Sequence, residues 1–132
     1  MTTNTDVKFV PNGEFDRFFN EPTGEVGVWL HKKGLRIIEL ARLLINSKTG
    51  ELAGSLHIMH NRNARGQMLQ VGSSVKYAYY YHEGTKPHVI RANKQEFLRF
   101  RTHGRYIVTK QVNHPGTKPK KFLTIPLRVV IR

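Results

Sequence analysis

A chain of 132 residues is the size of one ordinary domain, long enough for a single core and not for two. It has no cysteine, which removes disulfides and thiolate metal sites; no run approaches the ~18 apolar residues of a membrane span, and the N-terminus lacks the charged-then-apolar start of a signal peptide. The formal charge of +13 is uneven: residues 1–56 hold seven Lys or Arg against seven Asp or Glu, whereas residues 57–132 hold fifteen against only Glu83 and Glu96.

Residues 1–24 are polar, punctuated by Pro11, Gly13, Pro22 and Gly24, with Phe9, Val10, Phe15, Phe18 and Phe19 as apolar anchors. They read as an extended N-terminal arm with a strand near Val7–Val10 and a turn of helix at Phe15–Phe19, docked either on its own domain or on a neighbour. From Thr23 the pattern turns helical. Thr23 can cap, Glu25 suits the first turn, and Val26, Leu30, Ile37, Ala41, Leu44 and Ile45 recur at steps of three and four. Gly27 and Gly34 weaken that helix by roughly 1 kcal/mol each relative to Ala, which calls for a kink or a close contact. The helix should end near Ser47, with Thr49-Gly50 as its stop.

Thr49–Leu56 reads as a turn and a short apolar step, followed by a strand over Ser55–Arg62, a basic turn at Asn61–Gly66 and a return strand over Gln67–Val75. The tyrosine run within residues 76–83 reads as either a strand or a short second helix, and Tyr77, Tyr80, Tyr81 and Gly84 favour the helix because they fit a helical turn with a glycine stop. The turn Glu83-Gly84-Thr85 follows, and Pro87 forces the chain out extended before Val89 and Ile90. Two alternating runs, Phe97–Arg101 and Arg105–Val112, flank His103-Gly104, a hairpin signal. The turn His114-Pro115-Gly116 then releases a basic loop and the apolar end Phe122–Ile131. These elements imply an α+β domain over residues 25–132, with one long helix packed across one face of an antiparallel sheet.

Catalytic constellations are missing. His57 and His60 point to opposite faces of a strand, so they cannot share an ion. Ser55, Ser73 and Ser74 lack a nucleophile elbow, and Gly50–Gly54 has neither the lysine nor the spacing of a phosphate loop. No enzyme, metal or cofactor is therefore expected. The basic half is expected to meet a polyanion or an acidic protein surface, with a solvated, soluble face as the plain alternative. Arg62 and Arg65 in the first turn, Arg99, Arg101 and Arg105 in the hairpin, and Lys118, Lys120 and Lys121 in the late loop are the candidate contacts to DNA or acidic partners. Alternate residues of a two-stranded ribbon share a face and could line up on phosphates.

Taken in order, Thr49-Gly50-x-Leu52-x-x-Ser55, Tyr77-Ala78-x-x-Tyr81-x-Glu83-Gly84-Thr85, Pro87-His88-x-Ile90, Leu98-Arg99-Phe100, Gly104-Arg105, Val112-x-His114-Pro115-Gly116-Thr117 and Phe122-Leu123 resemble the neck family of long-tailed bacteriophages, the head–tail connector and tail-completion proteins. The resemblance spans about residues 25–125. It implies a structural virion protein forming a closed ring, a hexamer, between the portal side and the tail tube, with a long helix against a curved antiparallel sheet. It also implies that Tyr77, Tyr81, Glu83, Gly84, Thr85, Pro87, His88, His114, Pro115 and Gly116 set loop geometry for subunit packing, although turns and core aromatics of a single subunit account for each residue taken singly. Family members continue past Phe-Leu into a C-terminal helix. Here the β-branched run Ile125, Val129, Val130 and Ile131, broken by Pro126, reads as a strand added to a neighbour's sheet. The rival expectation is a small basic nucleic-acid-binding module.

Overall fold

The computed structural model describes residue 10 and residues 12–132. In chain order the elements are α1 (Gly13–Asn20), α2 (Glu25–Leu44), α3 (Glu51–Gly54), β1 (Leu56–Asn63), β2 (Gly66–Ser73), α4 (Ala78–Glu83), β3 (His88–Arg91), β4 (Leu98–Thr102), β5 (Arg105–Thr109), β6 (Gln111–His114) and α5 (Thr124–Val130). Of the described residues, 37% are helical and 30% are in strands. It divides into two compact units: residues up to Ser74 together with Phe122–Arg132, and residues Val75–Lys121.

The first unit is built on α2, which packs against α1, β1, β2 and α5. Its buried positions are Gly27, Gly34, Ile37, Ile38 and Ala41. Leu52 of α3, Leu56 of β1, Phe122, and Pro126 and Val130 of α5 complete the core. Each large apolar side chain buried there contributes about 1.5–3 kcal/mol. The glycines of α2 mark close contacts: a Cβ on Gly34 would lie 2.7 Å from Leu69 Cδ2, and one on Gly27 would lie 2.3 Å from the Pro22 carbonyl oxygen. The β1–β2 hairpin pairs Leu56 with Ser73 through to Asn63 with Gly66, turning at Ala64-Arg65, where Asn63 Oδ1 accepts the Arg65 N–H at 2.8 Å.

Several expectations change here. Thr23 is not the cap of α2; Gly24 is. A Cβ at residue 24 would sit 1.9 Å from the Arg17 carbonyl oxygen, so the approach of α1 admits only glycine. The arm's aromatic segment forms two turns of helix, α1, opened by Asn12, whose Oδ1 accepts the Phe15 N–H at 2.8 Å. The strand expected near Val7–Val10 lies, apart from Val10, outside the described residues. Thr49–Leu56 contains a helical turn, α3, led in by Gly50 at φ 69°.

The C-terminal run is a helix, not a strand. Pro126 sits in its first turn, where backbone N–H groups have no intrahelical partner anyway and a missing donor costs little. Pro126 and Val130, four residues apart, bury one face, and Lys33 Nζ donates to the Val130 carbonyl at 3.2 Å, satisfying an orphan acceptor of the last turn. The strands, finally, form three two-stranded antiparallel sheets, β1–β2, β3–β6 and β4–β5.

Candidate functional site

Two tight turns 32 residues apart meet in the second unit. Gly84 (φ 76°) and Gly116 (φ 82°) both occupy the left-handed region that glycine enters without strain. Each is followed by a threonine, and the two threonines form an antiparallel bridge. The Thr85 N–H donates to the Thr117 carbonyl and the Thr117 N–H to the Thr85 carbonyl, both at 3.0 Å. Their hydroxyls lie 3.1 Å apart. A Cβ on Gly84 would meet the Thr117 carbonyl oxygen at 2.5 Å, and one on Gly116 the Thr85 carbonyl oxygen at 2.3 Å. The glycines therefore permit the backbone approach on which the clamp depends.

Helix α4 fastens the outgoing chain beside this clamp. The Tyr80 carbonyl accepts the Gly84 N–H at 2.8 Å, the Tyr81 carbonyl accepts the Lys120 N–H at 3.3 Å, and the His82 carbonyl accepts the Lys121 N–H at 3.2 Å. Glu83 joins the two segments through its carboxylate, which accepts from Lys121 Nζ at 2.5 Å and from His82 Nδ1 at 2.7 Å. The Lys121 hydrogen bond foremost, then that of His82, holds the Glu83 carboxyl below the ordinary value. Tyr77 precedes the first residue of α4, and Lys120 Nζ lies 5.9 Å from the Tyr81 ring centroid.

Beyond the clamp the chain runs out and back as a ribbon. β3 pairs β6 from His88–His114 to Arg91–Gln111, and the Ala92 N–H extends this pairing to the Lys110 carbonyl at 3.0 Å. The His88 and His114 rings lie 5.0 Å apart. His88 Nδ1–H donates to the Lys86 carbonyl at 2.9 Å, and His114 Nδ1 accepts the Gly116 N–H at 3.1 Å. Pro87 and Pro115 flank these histidines. Residues 93–97 are looped out of one arm before β4 pairs β5 from Leu98–Thr109 to Thr102–Arg105. His103 (φ 48°) and Gly104 (φ 79°) close the tip with two successive positive φ angles, the geometry of a type I′ hairpin.

The outer ribbon is two-faced. Arg99 and Arg101 share one face with Tyr106 and Val108, since Arg99 pairs Val108 and Arg101 pairs Tyr106. Arg99 Cζ lies 4.4 Å and Arg101 Cζ 5.8 Å from the Tyr106 ring centroid. The other face carries Leu98, Phe100 and Ile107, with Arg105 beside Thr102 near the tip.

The structure thus unites Glu83, Gly84, Thr85, Pro87, His88, His114, Pro115 and Gly116 at one end of the ribbon, with Tyr81 alongside. The candidate cations are dispersed. Arg99, Arg101 and Arg105 occupy the outer half of the ribbon; Lys118, Lys120 and Lys121 lie by the clamp. In the first unit Arg62 faces Asp16 at 3.4 Å, and Arg65 is in the β1–β2 turn. Thr117, His82 and Tyr106 take part without having been singled out as site residues. The repeated dipeptide, Gly84-Thr85 and Gly116-Thr117, was the available signal for Thr117. No family model, curated protein or solved structure matches the chain.

Proposed function

We propose that the chain is a structural virion protein of the neck of long-tailed bacteriophages. Identical copies, six to a ring, join the DNA-filled head on the portal or adaptor side to the tail, as a tail-completion, stopper or tail-terminator component. The role is mechanical, with no catalytic step, metal or cofactor. Its partners are its own copies, the adjacent neck and tail proteins, and packaged duplex DNA, in a particle assembled in the host cytoplasm without a membrane.

One observation carries the self-assembly: no residue from Val75 to Lys121 is buried. A ribbon of two strands is marginal in water, and a unit of this size without a core, disulfide or metal needs another source of burial. Val89 (50% exposed), Ile90 (38%), Phe97 (42%) and Ile107 (39%) are apolar side chains that sister copies would cover, and the unpaired ribbon edges invite pairing between copies. In such a ring the separate two-stranded sheets become segments of one curved antiparallel sheet. Two further features support the neck family in particular. The two turns on which the resemblance leans hold each other, and α5 follows Phe122-Leu123 where family members carry a helix.

Native mass spectrometry and negative-stain electron microscopy of the purified chain at moderate salt test the reading. Closed rings of one stoichiometry, alone or on incubation with portal-bearing heads, are expected. A monomer that never assembles under either condition and binds duplex DNA with a steep salt dependence would instead identify the nucleic-acid-binding module.

A further inference from the structure

The second unit carries eleven Lys or Arg against Glu83 and Glu96. Glu83 is already engaged by Lys121 and His82. Among the described residues, no ion pair joins Arg91, Lys94, Arg99, Arg101, Arg105 or Lys110 to a carboxylate. Six cations therefore lie along one ribbon with only Glu96 among them. That arrangement repels itself unless a polyanion is present.

The outer ribbon shows how a polyanion would be met. Arg99 and Arg101 stand two residues apart on one face, about 6.8 Å along the strand. They lean on Tyr106, whose ring fixes the guanidinium groups while leaving their edges to the solvent. With Arg99 over it, the Tyr106 ring is a support for the cations and not a platform for an unstacked base, which argues against single strands. The face has no Asn or Gln to read adenine edges. A protein partner would need a carboxylate for each cation along the ribbon, whereas duplex DNA presents a charge every ~1.7 Å of its axis.

We infer that the Arg99–Arg101–Tyr106 face of the β4–β5 hairpin is a docking surface for the phosphate backbone of duplex DNA, separate from the lysines at the clamp. It deepens the neck reading by assigning one ribbon face to DNA while the Leu98–Phe100–Ile107 face is left to a sister copy, and it rests on that reading only for the latter assignment.

The test uses the full chain and a fluorescein-labelled duplex of random sequence, with binding followed by anisotropy between about 50 and 200 mM salt. Arg99→Gln with Arg101→Gln removes two phosphate contacts, so the slope of log affinity against log salt should become shallower by about 1.8, with at least about a tenfold loss of affinity near 0.1 M salt. Arg99→Lys with Arg101→Lys keeps the charges and should keep the slope, which separates phosphate contact from support of Tyr106. Lys32→Gln with Lys48→Gln, an equal charge loss in the first unit, should leave binding within about twofold, as a non-contacting control. Equal losses in the control and the arginine variant overturn the inference, as does displacement of the duplex by polyglutamate as effectively as by unlabelled duplex. Ring formation recorded on the same samples, alone and with portal-bearing heads, reports the neck reading independently: DNA binding with rings under neither condition sinks that reading alone, and rings without binding sink only this inference.

Discussion

Gly84 and Gly116 are where the chain tolerates least change. An alanine at either must adopt a positive φ, at roughly 1–3 kcal/mol, and also push back a carbonyl oxygen 2.5 or 2.3 Å from its Cβ. Gly84→Ala and Gly116→Ala should therefore each open the Thr85–Thr117 bridge, seen as faster hydrogen exchange at both threonine amides. Gly54→Ala, with nothing within 4 Å of the new Cβ, should leave those amides unchanged. Glu83 adds a pH dependence with a definite sign. Its folded carboxyl lies below the ordinary value near 4.5, so its contribution is present above that value and is lost as pH falls through the lower, folded one. All five tyrosines lie in the second unit and the single tryptophan in the first, so tyrosine near-ultraviolet signal follows the clamp's unit. In melts so monitored, wild type should exceed Glu83→Gln in Tm at neutral pH, and the gap should close on acidification. A gap independent of pH would refute the role of the Lys121 and His82 contacts. The glycine turns were legible one at a time from their neighbours. Their partnership was not, because the loop at 93–97 shifts the register along the ribbon and no local spacing announces a bridge 32 residues long.

Among the elements, legibility followed how locally each is determined. α2 could be read from its period, and the β4–β5 hairpin from His103-Gly104 between alternating runs, because in both the deciding residues are neighbours in sequence. α5 could not, since Ile125, Val129, Val130 and Ile131 prefer strands and only burial of Pro126 and Val130 in the first unit's core settles the matter. The overshoot of α2, expected to Ser47 and ending at Leu44, has the same origin: Leu44 is exposed, so no packing extends the helix. The α2 glycines separate local propensity from tertiary contact. Gly34→Ala meets the movable ends of Leu69 and Ile58, and the helix gains about 1 kcal/mol from alanine, so the net change should stay within about 1 kcal/mol. Gly27→Ala meets the Pro22 and Glu21 backbone, which cannot rotate away, and should destabilise by about 1–3 kcal/mol. Urea unfolding followed by Trp29 fluorescence decides the order; a larger loss for Gly34→Ala would contradict the contacts described.

For the whole molecule, charge and burial divide along the same boundary: the described core residues belong to the first unit, and most of the excess cations to the second. The basic half was visible in the sequence. The lack of a core was not, because Tyr77 to Val112 carries enough apolar residues to suggest one, and only their placement on two-stranded ribbons leaves them uncovered. If sister copies supply the missing burial, the ribbon's stability must depend on concentration, since association stabilises only the folded, assembled form. Amides of β3–β6 and β4–β5 should exchange slowly at concentrations where rings form and quickly below them, while amides of α2 change little. Ile90→Lys combined with Ile107→Lys places two desolvated charges in the proposed contact, each costing several kcal/mol if it were buried there. The double variant should sediment as a monomer, retain the Trp29 signal of the first unit, and show fast ribbon exchange at every concentration. Slow ribbon exchange in dilute wild type would mean that the ribbon stands by itself, and rings formed undiminished by the double variant would mean that sister copies do not cover these two side chains.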